Sequence, residues 1–222
     1  MSEVRIIEVH ENIFSQNEKT ADSIRDSLNR QGVFFVNVMS SPGSGKTTFL
    51  TRLINDLKDR INIGVMDVDI ETSLDAQRVA DATGVRSMQI HNGGLCHIDA
   101  DMTQRALNEF GPEGLDLLIL ENIGNLVCPA EFDTGAHKNV MILSVPEGDD
   151  KPLKYPLMFS VCDLVIISKT DTMDFFDFDM ERAEKNIRNL NPHVDIIPLS
   201  AKTGVGMDKA EKWFLEKTGK TE

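Results

Sequence analysis

Residues 33 to 60 constrain this chain more than any other stretch: VFFVNVM is followed by SSPGSGKTT and then by FLTRLINDLKDR. The first run is almost continuously apolar and of strand length. The last places Phe49, Leu50, Leu53, Ile54 and Leu57 on one helical face. Strand, glycine loop, helix is the opening of a βαβ unit. The alternation continues with INIGVMDVD as a strand, SLDAQRVADATG as a helix, RSMQIH as a strand and HIDADMTQRALNEF as a helix. LDLLILEN, NVMILSV, DLVIISK and VDIIPLS follow as strands, and MDKAEKWFLEKTG closes the chain as a helix. Apolar runs without alternation mean strands covered on both faces. The expectation is an α/β fold, a doubly wound and mostly parallel sheet with helices on both faces.

Ahead of this unit, Gln16 to Gln31 carries Ala21, Ile24 and Leu28 at helical spacing, with Gly32 as the stop. Residues 1–32 are therefore expected to be an N-terminal segment whose amphipathic helix packs on the body, and 33–222 the main domain. Phe175-Phe176-Asp177-Phe178 reads as a loop or helix start packed against that body. No internal repeat, low-complexity tract or long linker is visible. The 222 residues carry 23 Lys+Arg against 36 Asp+Glu, a formal net charge of −13. Sequence-independent nucleic-acid binding needs clustered cations, so no nucleic-acid partner is expected. Cys96, Cys128 and Cys162 are too few and too scattered for a secreted disulfide framework. No run has the length for a signal peptide or a membrane span, so no membrane partner is expected. A soluble protein of a reducing cytoplasm is the reading.

Ser40-Ser41-Pro42-Gly43-Ser44-Gly45-Lys46-Thr47 matches G-x-x-x-x-G-K-[ST] except that Ser40 stands at the first glycine. Small residues there let successive backbone N–H groups turn in around phosphate oxygens. An ordinary glycine-rich turn explains the glycines but not Lys46-Thr47 at this offset. Gly43, Ser44, Gly45, Lys46, Thr47 and Thr48 are thus the phosphate-binding candidates. Lys46 would neutralise the β- and γ-phosphates, and Thr47 would place its hydroxyl on Mg²⁺. Asp67 and Asp69 end a strand, Asp75 follows shortly, and Glu121 ends LDLLIL. Ligands collect outside the carboxyl ends of parallel strands, where a carboxylate can hold Mg²⁺ or orient the attacking water. Asp69 and Glu121 are the Mg²⁺ and catalytic candidates with Lys46; Asp75 reads equally as catalytic or as a helix cap.

Base choice is written in Ser168-Lys169-Thr170-Asp171, which resembles the N-K-x-D pattern of GTPases with Ser168 where Asn is usual. An Asp171 carboxylate offers two acceptors to guanine N1–H and its exocyclic amine, whereas adenine N1 is itself an acceptor. The Lys169 stem can lie over the base. Ser200-Ala201-Lys202, after another strand, is placed to give a backbone N–H to guanine O6. Together these favour GTP over ATP. A third constellation is Cys96-His97, expected to open a helix, with Cys128 in ENIGNLVCPA. Thiolate and imidazole suit Ni²⁺ and Zn²⁺, but small core cysteines and a helix-capping His97 would explain the same residues. Pattern alone leaves both readings open. Cys162, within FSVCDLVII, reads as core.

With these residues in view, the chain resembles the HypB family of accessory GTPases that insert nickel into hydrogenases. The resemblance runs from about Phe34 to the C-terminus, through SSPGSGKTT, GLCHIDA, ENIGNLVCPA and SVPEGDDKPLKYP. It implies a P-loop NTPase fold, Mg²⁺-dependent conversion of GTP to GDP and phosphate, and nickel delivery to the large subunit of nickel–iron hydrogenase. It also implies a homodimer on GTP or metal binding, and a second nickel-accessory protein as partner. Cys96, His97 and Cys128 become the Ni²⁺ or Zn²⁺ site; phosphate and Mg²⁺ roles fall on Lys46, Thr47, Asp69 and Glu121, and guanine contacts on Lys169 and Asp171. Some members of the family carry an N-terminal cysteine motif and others a histidine-rich storage tract; residues 1–33 here hold no Cys and only His10. That leaves the domain site.

Three other readings compete. A urease-type nickel accessory GTPase typically carries a Cys-Pro-His triplet, whereas Cys96 and His97 are adjacent. A P-loop small-molecule kinase would need an acceptor pocket and has no use for Asp171. A pure metal chaperone would bind nucleotide only as a switch. The segment Asn122 to Val127 joins the Glu121 region to Cys128 and contains Gly124, a pivot for a switch loop.

Overall fold

The structure is a computed structural model that describes residues 9–68 and 74–220, with the side chains of 9–14 and 74–76 outside the description. In chain order the elements are α1 (Val9–Gln31), β1 (Phe34–Ser40), α2 (Lys46–Leu57), β2 (Ile63–Val68), α3 (Leu74–Thr83), β3 (Arg86–Ile90), α4 (Ala100–Phe110), β4 (Leu117–Gly124) and α5 (Cys128–Glu131). They continue with β5 (Lys138–Ser144), α6 (Lys151–Lys154), α7 (Pro156–Ser160), β6 (Leu164–Ser168), α8 (Met180–Leu190), β7 (Asp195–Pro198) and α9 (Met207–Thr218). Short 3₁₀ turns cover Val145–Glu147 and Thr170–Phe175.

The strands form one seven-stranded sheet in the order β3-β2-β4-β1-β5-β6-β7. Every pairing is parallel. Strand β1 lies centrally, and its alternate residues feed opposite faces. Val36 and Val38 pack with Phe49, Leu53 and Ile54 of α2 and Phe214 of α9. Phe35 packs with Ala21, Ile24 and Leu28 of α1 and Leu107 and Phe110 of α4. Met39 belongs to a third cluster with Phe159 of α7 and Ile187 of α8. Burial on both sides is why these strands read as unbroken apolar runs.

One irregularity bears on function. Val38 faces Glu121 but Ser40 faces Gly124, so β4 carries an extra residue there. Asn122 holds this bulge: its Oδ1 accepts from Ile123 N–H at 2.8 Å, and its Nδ2 donates to Asn37 Oδ1 at 2.9 Å. Asn37 Nδ2 in turn donates to Asn139 Oδ1 at 2.9 Å, carrying a buried amide chain from β4 through β1 to β5. Buried amides are tolerated because each finds a partner.

Several expectations need correction. Helix α1 begins at Val9, ahead of Gln16. Helix α4 begins at Ala100, with Asp99 as its N-cap accepting from Met102 N–H, so Cys96 and His97 precede the helix instead of opening it. Of the phenylalanine cluster only Phe178 is buried; Phe175 is 81% exposed and Phe176 45%. Helix α8 went unread, because its charged sequence buries only Ala183 and Ile187.

His137 pins α1 to the sheet. Phe35 N–H donates to its Nδ1 at 2.9 Å, so the neutral ring carries its proton on Nε2, 3.3 Å from the Arg25 carbonyl oxygen. Burial, together with the Arg25 charge, holds the imidazole below its ordinary pKa, although the bond to the Arg25 carbonyl opposes this. The neutral form is therefore the folded form. Its stabilisation is complete above the unfolded value of about 6.5 and is lost as pH falls from there toward the lower folded value. Wild type should thus show a falling thermal midpoint over that window. His137→Asn, which can still accept from Phe35 but does not titrate, should show a shallower fall; matching pH profiles would contradict this.

Candidate functional site

The carboxyl ends of β1, β2 and β4 surround a cleft of about 680 Å³, lined by residues 40–48, Asp67, Val68, Arg78, Glu121, Ile123, Gly124 and Lys169. The loop between β1 and α2 forms its floor. Gly43 and Gly45 take positive φ of 73° and 96°, a conformation that costs glycine nothing. Among the described residues the one non-glycine with positive φ is Lys169, so Ser40, buried at the end of β1, needs no glycine in its place. Gly45 caps α2, and Lys46 and Thr47 are its first residues, directing the helix N-terminus at the cleft.

Lys46 Nζ donates to the Asn122 carbonyl at 2.5 Å and lies 3.5 Å from Glu121 Oε1. Thr47 Oγ1 donates to the same carboxylate oxygen at 2.9 Å. Two buried polar atoms of the cleft, Ser44 Oγ and Glu121 Oε2, have no hydrogen-bond partner. Buried polar groups are ordinarily satisfied, so these are deficits that a phosphate and a cation would fill. The residues therefore fit a magnesium–nucleotide ligand. Thr48, next in α2, is exposed and also lines the cleft.

Of the acidic candidates, Glu121 is 1% exposed in the cleft. Asp69 lies outside the described residues; Asp75 is the second residue of α3, and its side chain is outside them too. The cleft holds two groups that were not among the chosen candidates. Asp67 sits directly opposite Glu121 in the pairing of β2 with β4, and Arg78 reaches in from α3. Asp67 follows the same strand-end rule as Glu121; Arg78 sits in an ordinary amphipathic helix and carries no such signal.

A neighbouring cavity of about 240 Å³ is lined by Ser44, Gly45, Thr48, Phe49, residues 168–172 without Thr170, and Ser200, Ala201 and Lys202. Lys169 stretches its ammonium to the Gly43 carbonyl at 2.7 Å, laying its stem along the wall. Ser168, buried, donates to the Ser44 carbonyl at 2.8 Å and so ties the end of β6 to the loop between β1 and α2. Ser200 Oγ donates to Asp171 Oδ1 at 2.6 Å and fixes that carboxylate. Ser200 N–H is used on the Val205 carbonyl at 2.8 Å, which leaves Ala201 and Lys202 as the N–H groups for a base.

Of the third constellation, the two thiols come together. Cys96 Sγ donates to Cys128 Sγ at 2.8 Å, and His97 Nδ1 is 3.9 Å from Cys96 Sγ. Cys96 is exposed and Cys128 half-buried at the start of α5; Cys162 is buried in the core as expected. The His97 ring stacks on Phe132, centroids 3.8 Å apart and planes within 7°. Asn92 Nδ2 grips the turn by donating to the carbonyls of Leu95 and His97, at 2.7 and 2.8 Å. The neighbouring Cys96 sulfur, toward which Cys128 keeps its proton, together with burial raises the Cys128 thiol above its ordinary pKa. Among the described residues, no three His, Cys, Asp or Glu side chains converge into a metal-holding group. Within one chain the donor set is soft but incomplete.

The segment between the two sites is short. A Cβ on Gly124 would lie 3.1 Å from Pro42 N and 3.2 Å from its Cα, so the end of β4 rests directly on the loop between β1 and α2. Cys128 comes four residues later. Among the described residues no helix is long and apolar enough to cross a membrane.

The chain is similar to known proteins over most of its length. The family model described as "CobW/HypB/UreG, nucleotide-binding domain" matches residues 34–198. The hydrogenase maturation factor HypB of Rhizobium leguminosarum bv. viciae is 47% identical over 214 residues, 96% of this chain and 71% of that protein. A crystal structure of HypB from Helicobacter pylori in complex with nickel superposes with a TM-score of 0.85 at 40% identity, covering 92% of this chain and 95% of that one. The HypB structure from Archaeoglobus fulgidus gives 0.85 at 34% identity, covering 92% and 99%.

Proposed function

The chain belongs to the HypB family of hydrogenase maturation factors, within the CobW/HypB/UreG group, and on that premise we propose that it is a GTP-hydrolysing nickel metallochaperone. Residues 33–222 are its GTPase domain, with 1–32 an N-terminal segment packed against it. The observation that carries the reading is the joining of a phosphate-binding cleft to a thiol pair by one short segment, Glu121 to Cys128.

GTP is the substrate the second cavity favours: Asp171, braced by Ser200, accepts from guanine, and Lys169 covers the base. Thr47 and Glu121, with Asp69, are the residues to hold Mg²⁺, which neutralises charge on the β- and γ-phosphates. Lys46 then has two competing acceptors. An ammonium is attracted more strongly to anionic oxygens than to a neutral carbonyl, so a γ-phosphate draws it from the Asn122 carbonyl. That removes one hold on the bulge at Asn122 and Ile123, where the segment ending at Cys128 begins. Glu121 is the group that orients the attacking water.

Nickel is the cargo, held by Cys96, His97 and Cys128, a set that also suits Zn²⁺. Three donors fall short of a four-coordinate site. Two chains about a two-fold axis bring six, so a shared metal in a homodimer completes it. A second accessory protein and the large subunit of nickel–iron hydrogenase receive the metal, in a cytoplasm that keeps the thiols reduced.

The test is phosphate release with Mg²⁺ and no acceptor. GTP should turn over and ATP should not; release that requires an added acceptor would make the protein a kinase. Cys96→Ala and Cys128→Ala should each lower nickel affinity at least tenfold, with guanine-nucleotide binding in metal-free protein unchanged. Unaltered nickel titrations would remove the metal site.

A further inference from the structure

Helix α1 reaches both loops that carry the cysteines. Asn17 Oδ1 accepts from Ala100 N–H at 2.8 Å, and Asn17 Nδ2 donates to the Asp133 carbonyl at 2.9 Å. Ala100 is the first residue of α4, three beyond His97; Asp133 is five beyond Cys128. The Ala100 N–H is one of the four at a helix start that have no partner within the helix. Here the partner comes from another helix.

Arg25 and the apolar face of α1 fix the register of this helix. Arg25 forks onto Asp133 at 2.9 and 2.7 Å and reaches the Ala136 carbonyl at 3.1 Å. Burial would raise the Asp133 carboxyl, but the Arg25 and Gly135 hydrogen bonds outweigh it and hold the group below its ordinary range. Gly135, at φ +81°, lies so close that a Cβ there would meet Ile24 Cβ at 2.8 Å. Ala21, Ile24 and Leu28 are at most 2% exposed. Helix α1 is thus held on the body without Asn17, and the carboxamide is left with a different task.

We propose that Asn17 is a positioning residue for the metal site: its carboxamide spans the two ligand loops and sets the separation of Cys96 from Cys128. The inference rests on the metal reading above, in which those cysteines are ligands. Thr20 Oγ1, donating to Asp101 Oδ1 at 3.1 Å, supports the same junction one turn further along α1. Groups that orient ligands without touching the metal typically contribute about 10- to 100-fold to affinity.

The test uses the full chain with Asn17→Ala and Asn17→Asp. Three quantities are read: Ni²⁺ affinity from thiolate-to-nickel charge-transfer absorption, exchange of the Ala100 amide, and, in metal-free protein, the rate at which a short dithiol-bridging reagent links Cys96 to Cys128. Asn17→Ala should weaken Ni²⁺ binding about tenfold or more, slow the bridging and expose the Ala100 amide, with GTP affinity in metal-free protein unchanged. Asn17→Asp keeps the acceptor for Ala100 but loses the donor to Asp133. It should therefore protect the Ala100 amide while still weakening Ni²⁺ binding. An exposed Ala100 amide with unchanged Ni²⁺ affinity and bridging rate in Asn17→Ala would show a merely structural bond and overturn the proposal. A parallel titration of Cys96→Ala separates the two failures: if it binds Ni²⁺ as wild type does, the metal reading has failed, and unaltered bridging in Asn17→Ala then sinks the positioning role as well.

Discussion

Lys46→Ala is expected to reduce GTP turnover by about 100- to 1,000-fold or more, the cost typical of removing a preorganised group that meets developing charge in a transition state. The lysine sits at the start of α2, where its side chain is 13% exposed and held between Asn122 and Glu121. Its removal takes the ammonium from the Asn122 carbonyl and the Glu121 carboxylate, a local cost in stability, while Glu121 Oε1 keeps the Thr47 hydroxyl. The fold should survive, so circular dichroism of the variant should match wild type while single-turnover phosphate release collapses. Turnover within a few-fold of wild type would mean that the cleft around Lys46 does not perform the chemistry.

Asp171→Asn should weaken GTP and GDP binding by about 1.5–3 kcal/mol, roughly 10- to 150-fold, through loss of a charge-assisted hydrogen bond. The direction follows from Ser200. Its hydroxyl donates to Asp171 Oδ1 and so requires an acceptor there. In the variant the amide oxygen takes that place, and the NH₂ group is left facing guanine N1–H and the exocyclic amine. Two donors then confront each other. Isothermal titration of GDP against both proteins measures the loss, and equal affinities would remove the guanine assignment.

The sheet was legible because its strands are buried on both faces and therefore written as apolar runs, each followed by a loop at the same end. The glycine loop lining the cleft was legible for a related reason: its small residues and Lys46-Thr47 sit at the fixed offsets a backbone needs to turn around phosphate. Ser168 is more instructive. In sequence it looked like a departure from a pattern that favours Asn; in space its buried hydroxyl reaches the Ser44 carbonyl and holds the two loops together.

What escaped the sequence depends on contacts between distant segments. Helix α8 buries only Ala183 and Ile187, too narrow a stripe to stand out from its charged neighbours. The role of His137 between Phe35 and Arg25 involves residues more than 100 positions apart, as its bonds show. Asn17 is a polar residue on a helix whose apolar face alone is periodic, so nothing local marks it. The approach of Cys96 to Cys128, 32 positions apart, needs β3 and β4 to open their following loops at the same carboxyl end of the parallel sheet.

The central claim is that nucleotide state and metal affinity are coupled through the Glu121–Cys128 segment, and a linked titration tests it most directly. Nickel affinity is measured with GDP bound and with a non-hydrolysable GTP analogue bound, and the affinities of both nucleotides are measured with and without nickel. The account predicts that nickel affinity differs between the two nucleotide states, and that nickel changes the ratio of nucleotide affinities by the same factor, as thermodynamic linkage requires. Nickel affinities that are identical in the GDP and GTP-analogue states would contradict it.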